Sequence, residues 1–268
     1  MADGGTERAP SQPDAVIGAL RRTCRMLLLT WHALVHLPMV LLLISLPTRR
    51  LRLRSGETLE SRLIRAWSAG LLRVFGMRPR RHGQPLPGAV VFVANHIGWT
   101  DIVVLHSQRM MGFVAKREIA GWPVVGWLAK RGHTIFHTRG NTESLGDVMD
   151  VMQQRLRNGE AVGVFPEGRT RSGHVVGPFH ARIFLAAVET AVPVQPVALR
   201  YGEGGSAQTI VAFGPNENFF QNFMRLLGEP ARPVDVLFLP PILPGSAAGR
   251  RNMAESARSA IVQALEQA

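Results

Sequence analysis

One stretch, VFVANHIGWTDIVVL, sets the terms for the whole chain. The apolar run 90–93 stops at polar Asn95 and His96, and apolar residues resume at helical spacing after Asp101. A short apolar run that halts at a turn and feeds a helix is the mark of a buried strand in an α/β sheet. The alternation repeats. Strands are expected at 112–115, 134–136 and 162–165, ending near Lys116, Arg139 and Pro166, with a helix from Thr142 to Arg157 between the last two. Helices are expected at 101–110, 179–190, 218–227 and 253–265, and further strands at 192–199, 209–213 and 234–239. The fold class that follows is α/β: a mixed, largely parallel sheet flanked by helices, with an N-terminal membrane-associated helical segment.

In such folds sites gather at the carboxyl ends of the strands. His96 and Asp101 are the titratable groups at the first of these ends. A neutral imidazole can take a proton from a hydroxyl near pH 7, and a carboxylate on its other nitrogen fixes the tautomer and stabilises the imidazolium. The plainer reading of the pair is a surface contact, with Asp101 capping the helix that follows. Parallel strands would bring His96, Asp101, Lys116, Arg139, Glu167 and Arg169 to one edge.

A second stretch, VGVFPEGRTRSG, favours chemistry. Asn95-His96, four residues and Asp101, followed by Phe165-Pro166-Glu167-Gly168, resemble the first and third motifs of the glycerolipid acyltransferases, the family that includes lysophosphatidic acid acyltransferases. Between them GHTIFHTR, ending at Arg139, is similar to the family's Gly-to-Arg segment. After them VPVQPVAL is similar to its proline-bearing apolar segment. The resemblance covers about residues 85 to 200. The tail after Gly168 runs Arg169-Thr170-Arg171-Ser172 where many relatives place Thr before Arg, Gly98 stands where a serine is common, and His137-Thr138 precede Arg139 where Ile-Asp is common.

The resemblance implies acyl transfer from a thioester, acyl-carrier protein or coenzyme A, to the free glycerol hydroxyl of lysophosphatidic acid. Another lysolipid, such as a lyso-ornithine lipid or a lysophospholipid, is the enzymatic alternative, and a basic lipid-binding surface protein is the non-enzymatic one. His96 and Asp101 would be catalytic. Asn95, Lys116, Arg139, Glu167, Gly168, Arg169 and Arg171 would bind substrate, Gly168 also offering N–H groups to the oxyanion. Trp99, Val194 and Pro196 would wall the acyl chain. The thioester carries its own leaving group, so neither a protein nucleophile nor a cofactor or metal is expected.

Charge and hydropathy add the setting. Lys and Arg outnumber Asp and Glu by 31 to 19, a formal net charge of +12. That excess suits an anionic membrane surface or a phosphorylated substrate, and the absence of a nucleic-acid motif argues against nucleic acid as partner. The single cysteine, Cys24, excludes an intrachain disulfide and fits a reducing compartment. The run 26–46 carries no formal charge and is long enough for a bilayer core. Arginines flank it on both sides and Pro38 interrupts it, which suggests a kinked or re-entrant anchor with both ends on the cytoplasmic face; a single span is the alternative. The expected organisation is a disordered tail over 1–14, a membrane-anchoring helical region over 15–80 and an acyltransferase domain over 81–268. The helix expected at 58–76 either lies on lipid or covers the sheet, and RPRRHGQPLPG reads as a basic, turn-rich linker.

Overall fold

The computed structural model describes residues 12–47, 51–54, 56–122, 125–138, 142–171, 173 and 175–267. Seven strands form one sheet: β1 Met77–His82, β2 Val91–Ala94, β3 Gly112–Lys116, β4 Ile135–His137, β5 Val162–Val164, β6 Val194–Tyr201 and β7 Arg232–Phe238. Their order across the sheet is β1-β7-β6-β2-β5-β3-β4, and every pairing is parallel except β6 with β7. The carboxyl ends of β2 to β6 therefore share an edge, and the amino ends of β1 and β7 join them there. This is the mixed, largely parallel sheet flanked by helices that the sequence implies.

The helices are α1 Gln12–Trp31, α2 Leu37–Ser45, α3 Leu59–Val74, α4 Thr100–Gln108, α5 Val125–Arg131, α6 Thr142–Arg157, α7 Leu185–Thr190, α8 Gln208–Val211, α9 Phe219–Gly228 and α10 Gly249–Glu266. Strand alternation divides them between two faces. Phe92, Ala94, Leu199 and Tyr201 point to the α3, α4 and α9 side, in a core with Leu72, Val104, Leu105 and Leu226. Val91, Val93, Val164 and Val194 point to the other side, against Met152 and Leu156 of α6, Ala187 of α7 and Met253 and Ala257 of α10.

Local chemistry explains several boundaries. Asn218 caps α9 by accepting from the Gln221 N–H while the Gln221 side chain returns to the Asn218 N–H. Thr58 caps α3 on Ser61. Gly159, at φ +80°, ends α6 in the left-handed region.

Three sequence expectations change. The stretch read as a linker contains β1, an edge strand whose Arg80 pairs with Asp235 of β7 and with Glu203. The domain boundary drawn at residue 81 thus falls inside a strand, and β1 goes with the sheet. Residues 209–213 are not a strand. β6 is already paired on both sides, and α8 instead lets the Gln208 amide bond the backbone of Tyr201 and Leu199. The segment 179–190 begins as a 3₁₀ turn, Ala181–Phe184, before α7.

The N-terminal helix begins at Gln12, inside the expected tail, whose residues 1–11 lie outside the described residues. It does not turn back at Pro38. α1 runs into α2 through a π-helical stretch, His32–His36, and the proline sits in the first turn of α2. Val16–Ser45 is one helix of 30 residues, long and apolar enough to cross a membrane. One side is held by the domain: Arg21 and Arg25 donate to the carbonyls of Leu227, Gly228 and Glu229 at the end of α9, and His32 bonds the Trp67 carbonyl and stacks on its ring. The other side leaves Leu20, Leu27, Leu28, Trp31, Leu34, Met39 and Leu42 exposed. An apolar face this long marks membrane association. α3 packs between this helix and α4, so of its two expected roles the structure assigns it covering the domain.

Candidate active site

The turn after β2 carries His96, and four hydrogen bonds hold the side chain that orients it. Asp101, fully buried in the first turn of α4, faces His96 Nδ1 with Oδ2 at 2.8 Å. The same oxygen accepts from the N–H groups of Ile97 at 2.6 Å and Gly98 at 3.0 Å. Oδ1 accepts from the Tyr201 hydroxyl at 2.7 Å, and Thr100 Oγ1 lies 3.0 Å from that hydroxyl. With both carboxylate oxygens engaged, the imidazole tautomer that fits carries its proton on Nδ1 and leaves Nε2 as acceptor. The His96 side chain keeps 18% of its surface exposed, so the ring is open to solvent at the sheet edge. Phe165 stacks on it, ring centroids 4.0 Å apart and 15° from parallel, and Phe113 stacks behind Phe165. Burial and the adjacent Asp101 push the Tyr201 hydroxyl well above its ordinary range, so it remains a donor.

Glu167 sits at the end of β5, the strand beside β2, and its carboxylate is buried. It accepts from the His96 N–H at 2.9 Å and the Gly177 N–H at 2.8 Å, and lies 3.5 Å from Arg171 Nε. Expected to bind substrate, its carboxylate is here held by two backbone amides and the nearby arginine. Glu167 fastens the β2 turn to the β5 turn. Gly168 lies at φ +69°, where a side chain would be strained and a Cβ would come within 3.2 Å of the His180 ring, so glycine is favoured there. Its N–H donates to the Phe165 carbonyl at 3.0 Å.

The other expected site residues divide clearly. Asn95 is buried, and its amide makes both hydrogen bonds to the Leu199 backbone, extending the β2–β6 ladder past its last pair. It positions the turn rather than facing a ligand. Lys116 is exposed at the end of β3, two strands and about 10 Å across the edge from β2. Arg139 lies outside the described residues. Arg169 is exposed and Arg171 half-buried, and with Thr170 and Phe213 they line a cleft of about 370 Å³. The cleft adjoins the His96 turn, because the Arg171 N–H donates to the His96 carbonyl at 2.8 Å.

Trp99 lies next to the turn in an aromatic cluster with Phe75, Phe219 and Phe223, its indole N–H donated to Asn222. Val194 and Pro196, expected to wall the acyl chain, lie within β6. Val194 pairs with Val91, five residues and roughly 16 Å back along the strand from His96, and both are buried in the sheet. Among the described residues no three His, Cys, Asp or Glu side chains gather as metal ligands. Sequence reasoning missed Tyr201 and Phe213. Tyr201 is the chain's only tyrosine and ends a largely apolar strand, the one available signal that a hydroxyl was being carried to the edge.

The Acyltransferase family model matches residues 78–200, the span that runs from β1 to β6 and holds every residue of the His96 cluster except Tyr201. A lyso-ornithine lipid O-acyltransferase of Pseudomonas aeruginosa is 33% identical over 77% of this chain and 80% of its own length. The chain belongs to the glycerolipid acyltransferase family. A second lyso-ornithine lipid O-acyltransferase, from Brucella abortus, is 30% identical over 88% of this chain and 94% of its own. A 1-acyl-sn-glycerol-3-phosphate acyltransferase of Neisseria meningitidis is 34% identical over 47% of this chain and 49% of its own. The fold is shared with the 1-acyl-sn-glycerophosphate acyltransferase PlsC of Thermotoga maritima, at a TM-score of 0.73, 18% identity and coverage of 95% and 97%.

Proposed function

We propose that this protein is a lysolipid O-acyltransferase, transferring a fatty acyl group from the thioester of acyl-carrier protein or coenzyme A to the free hydroxyl of a lysolipid at the cytoplasmic face of a membrane. The observation that carries the reading is a solvent-open imidazole whose Nδ1 is locked by a fully hydrogen-bonded carboxylate, beside an arginine-lined cleft. The acceptor hydroxyl gives its proton to His96 Nε2 as its oxygen attacks the thioester carbonyl carbon. Asp101 steadies the imidazolium. The tetrahedral intermediate collapses with cleavage of the C–S bond, and the proton passes from His96 to the departing thiolate. General-base help of this kind contributes ~10²–10⁴-fold.

Arg169, exposed in the cleft, is assigned to the acceptor's anionic group; Arg171, 3.5 Å from Glu167, supports it, with Lys116 on the same edge, and Arg139 is assigned to the same anion on the family resemblance. Trp99 and its aromatic neighbours, which reach Trp122 through Phe219, form the apolar shelf for the acyl chain. Two acceptors fit. Lysophosphatidic acid is favoured by the arginine forks, which match phosphate. A lyso-ornithine lipid is favoured by the relatives so named, whose similarity runs over most of this chain. Turnover of the purified protein on both lysolipids, with each thioester donor, separates them. His96→Ala should abolish turnover on every acceptor; retention of activity by that variant removes the proposed chemistry.

A further inference from the structure

A second cleft, of about 440 Å³, opens on the same edge of the sheet but away from His96, lined by Arg25, Arg73, Gly76, Arg78 and Ala231. Four elements build it: α1 brings Arg25, the last turn of α3 brings Arg73, β1 brings Arg78, and the residues leading into β7 close it. Arg25 is buried and reaches across the molecule, its Nη1 donating to the Leu227 and Glu229 carbonyls. Its Nη2 is so close to Gly76 that a Cβ there would sit 2.0 Å away, so a glycine at φ +71° makes room for the guanidinium. Arg21 lies on the Gly228 carbonyl and Arg22 against Gly228. Arg232, next to the cleft-lining Ala231, is buried and its Nη1 has no hydrogen-bond partner among the described residues. Glu229 sets a carboxylate among these arginines, and Arg232 already holds it at 2.8 Å.

Gathering cations in this way is unfavourable unless an anion completes the cluster. Position beside the lipid-facing helix says which anion. Arg21 and Arg25 lie on the N-terminal helix between the exposed Val16, Ile17 and Leu20 and the exposed Leu27 and Leu28, so the cleft borders the apolar face by which that helix meets lipid. Planar guanidinium forks bind phosphate oxygens in pairs.

We propose that this cleft binds the phosphate of an anionic bilayer phospholipid, docking the domain on the membrane through one seated headgroup in addition to its apolar helix. The inference does not depend on the acceptor identified by the His96 site. The test uses the full chain, sedimented with vesicles of phosphatidylcholine alone or doped with phosphatidylglycerol. Arg73 and Arg78 are exposed, so Arg73→Gln/Arg78→Gln should fold normally. It should lose its preference for doped vesicles roughly thirty-fold, the effect of two surface cations at an anionic bilayer, while binding phosphatidylcholine as before. Arg250→Gln/Arg251→Gln on α10, an equal loss of charge elsewhere, should change the preference less than about twofold. An equal fall in both pairs, or no fall in the first, overturns the site. So does a rise in melting temperature caused by inorganic phosphate and abolished in the Arg73/Arg78 pair with vesicle preference intact, since that result assigns the cleft to free phosphate.

Discussion

Removing one oxygen atom from Tyr201 tests how the imidazole is oriented. The Tyr201 hydroxyl is the sole hydrogen-bond donor shown to Asp101 Oδ1 among the described residues, at 2.7 Å in a site closed to water. Tyr201→Phe preserves the ring's packing and leaves half of a buried carboxylate without its donor. A hydrogen bond to a charged group contributes ~1.5–3 kcal/mol net. At about 2–4 °C per kcal/mol for a chain of this size, the melting temperature should fall by roughly 3–12 °C. A merely structural role ends there. A positioning role adds a kinetic signature: kcat should fall about tenfold as the ring samples unproductive orientations, equivalent to ~1.4 kcal/mol at the transition state, with KM for the acceptor little changed. Thr100→Val, which touches the hydroxyl but not the carboxylate, should change both kcat and melting temperature much less. The assay is steady-state thioester cleavage beside a thermal melt. A lower melting temperature with wild-type kcat would refute the argument.

Other consequences are open to measurement. Arg169→Ala should raise KM for the acceptor about tenfold with the melting temperature unchanged, whereas Arg171→Ala should also lower the melting temperature because it leaves the buried Glu167 without its counter-charge. His106 is fully buried against Phe113 with its ring on the Met111 carbonyl, and burial pushes it down to about 4. Its folded value is below its unfolded one, so its contribution is intact above about pH 6.5 and is lost as pH falls towards 4, ~3 kcal/mol in all; His106→Gln should flatten that part of a melting-temperature-against-pH curve. Leu27→Gln with Leu34→Gln, both exposed, should weaken membrane partition on the order of a hundredfold without lowering thermal stability, which fractionation and a melt would check.

What could be read from the sequence had strong local signals. Helix α6 begins and ends where its apolar spacing and Asn158-Gly159 stop require, and β2 stops where polar Asn95 begins. His96 and Asp101 stand out because a polar pair interrupts apolar surroundings. β1 was hidden because an edge strand of Arg, Pro and His buries little on either face; its order comes from the β7 backbone and from Asp235, a residue far away in the chain. α8 was hidden because Thr209-Ile210-Val211 has strand chemistry but no free strand to pair with. Asn95 and Glu167 look like ligand contacts in sequence, since nothing local says that their partners are the backbone of Leu199, His96 and Gly177. Tyr201 needed the register of β6 against β2 before its hydroxyl could be placed on Asp101.

The widened turn at His32–His36 has a consequence for the whole N-terminal helix. A π turn holds one residue more than an α turn, so it works as a phase adjuster between the arginine-bearing half and the half carrying Val40 and Ile44, both of which are buried. Excising a single residue there, Ala33 for instance, would restore ordinary winding and swing one half about 100° relative to the other. Guanidinium contacts with α9 and aliphatic contacts with α3 then could not be satisfied together, so the chain's length between Arg25 and Val40 is as much a part of its specification as the side chains themselves.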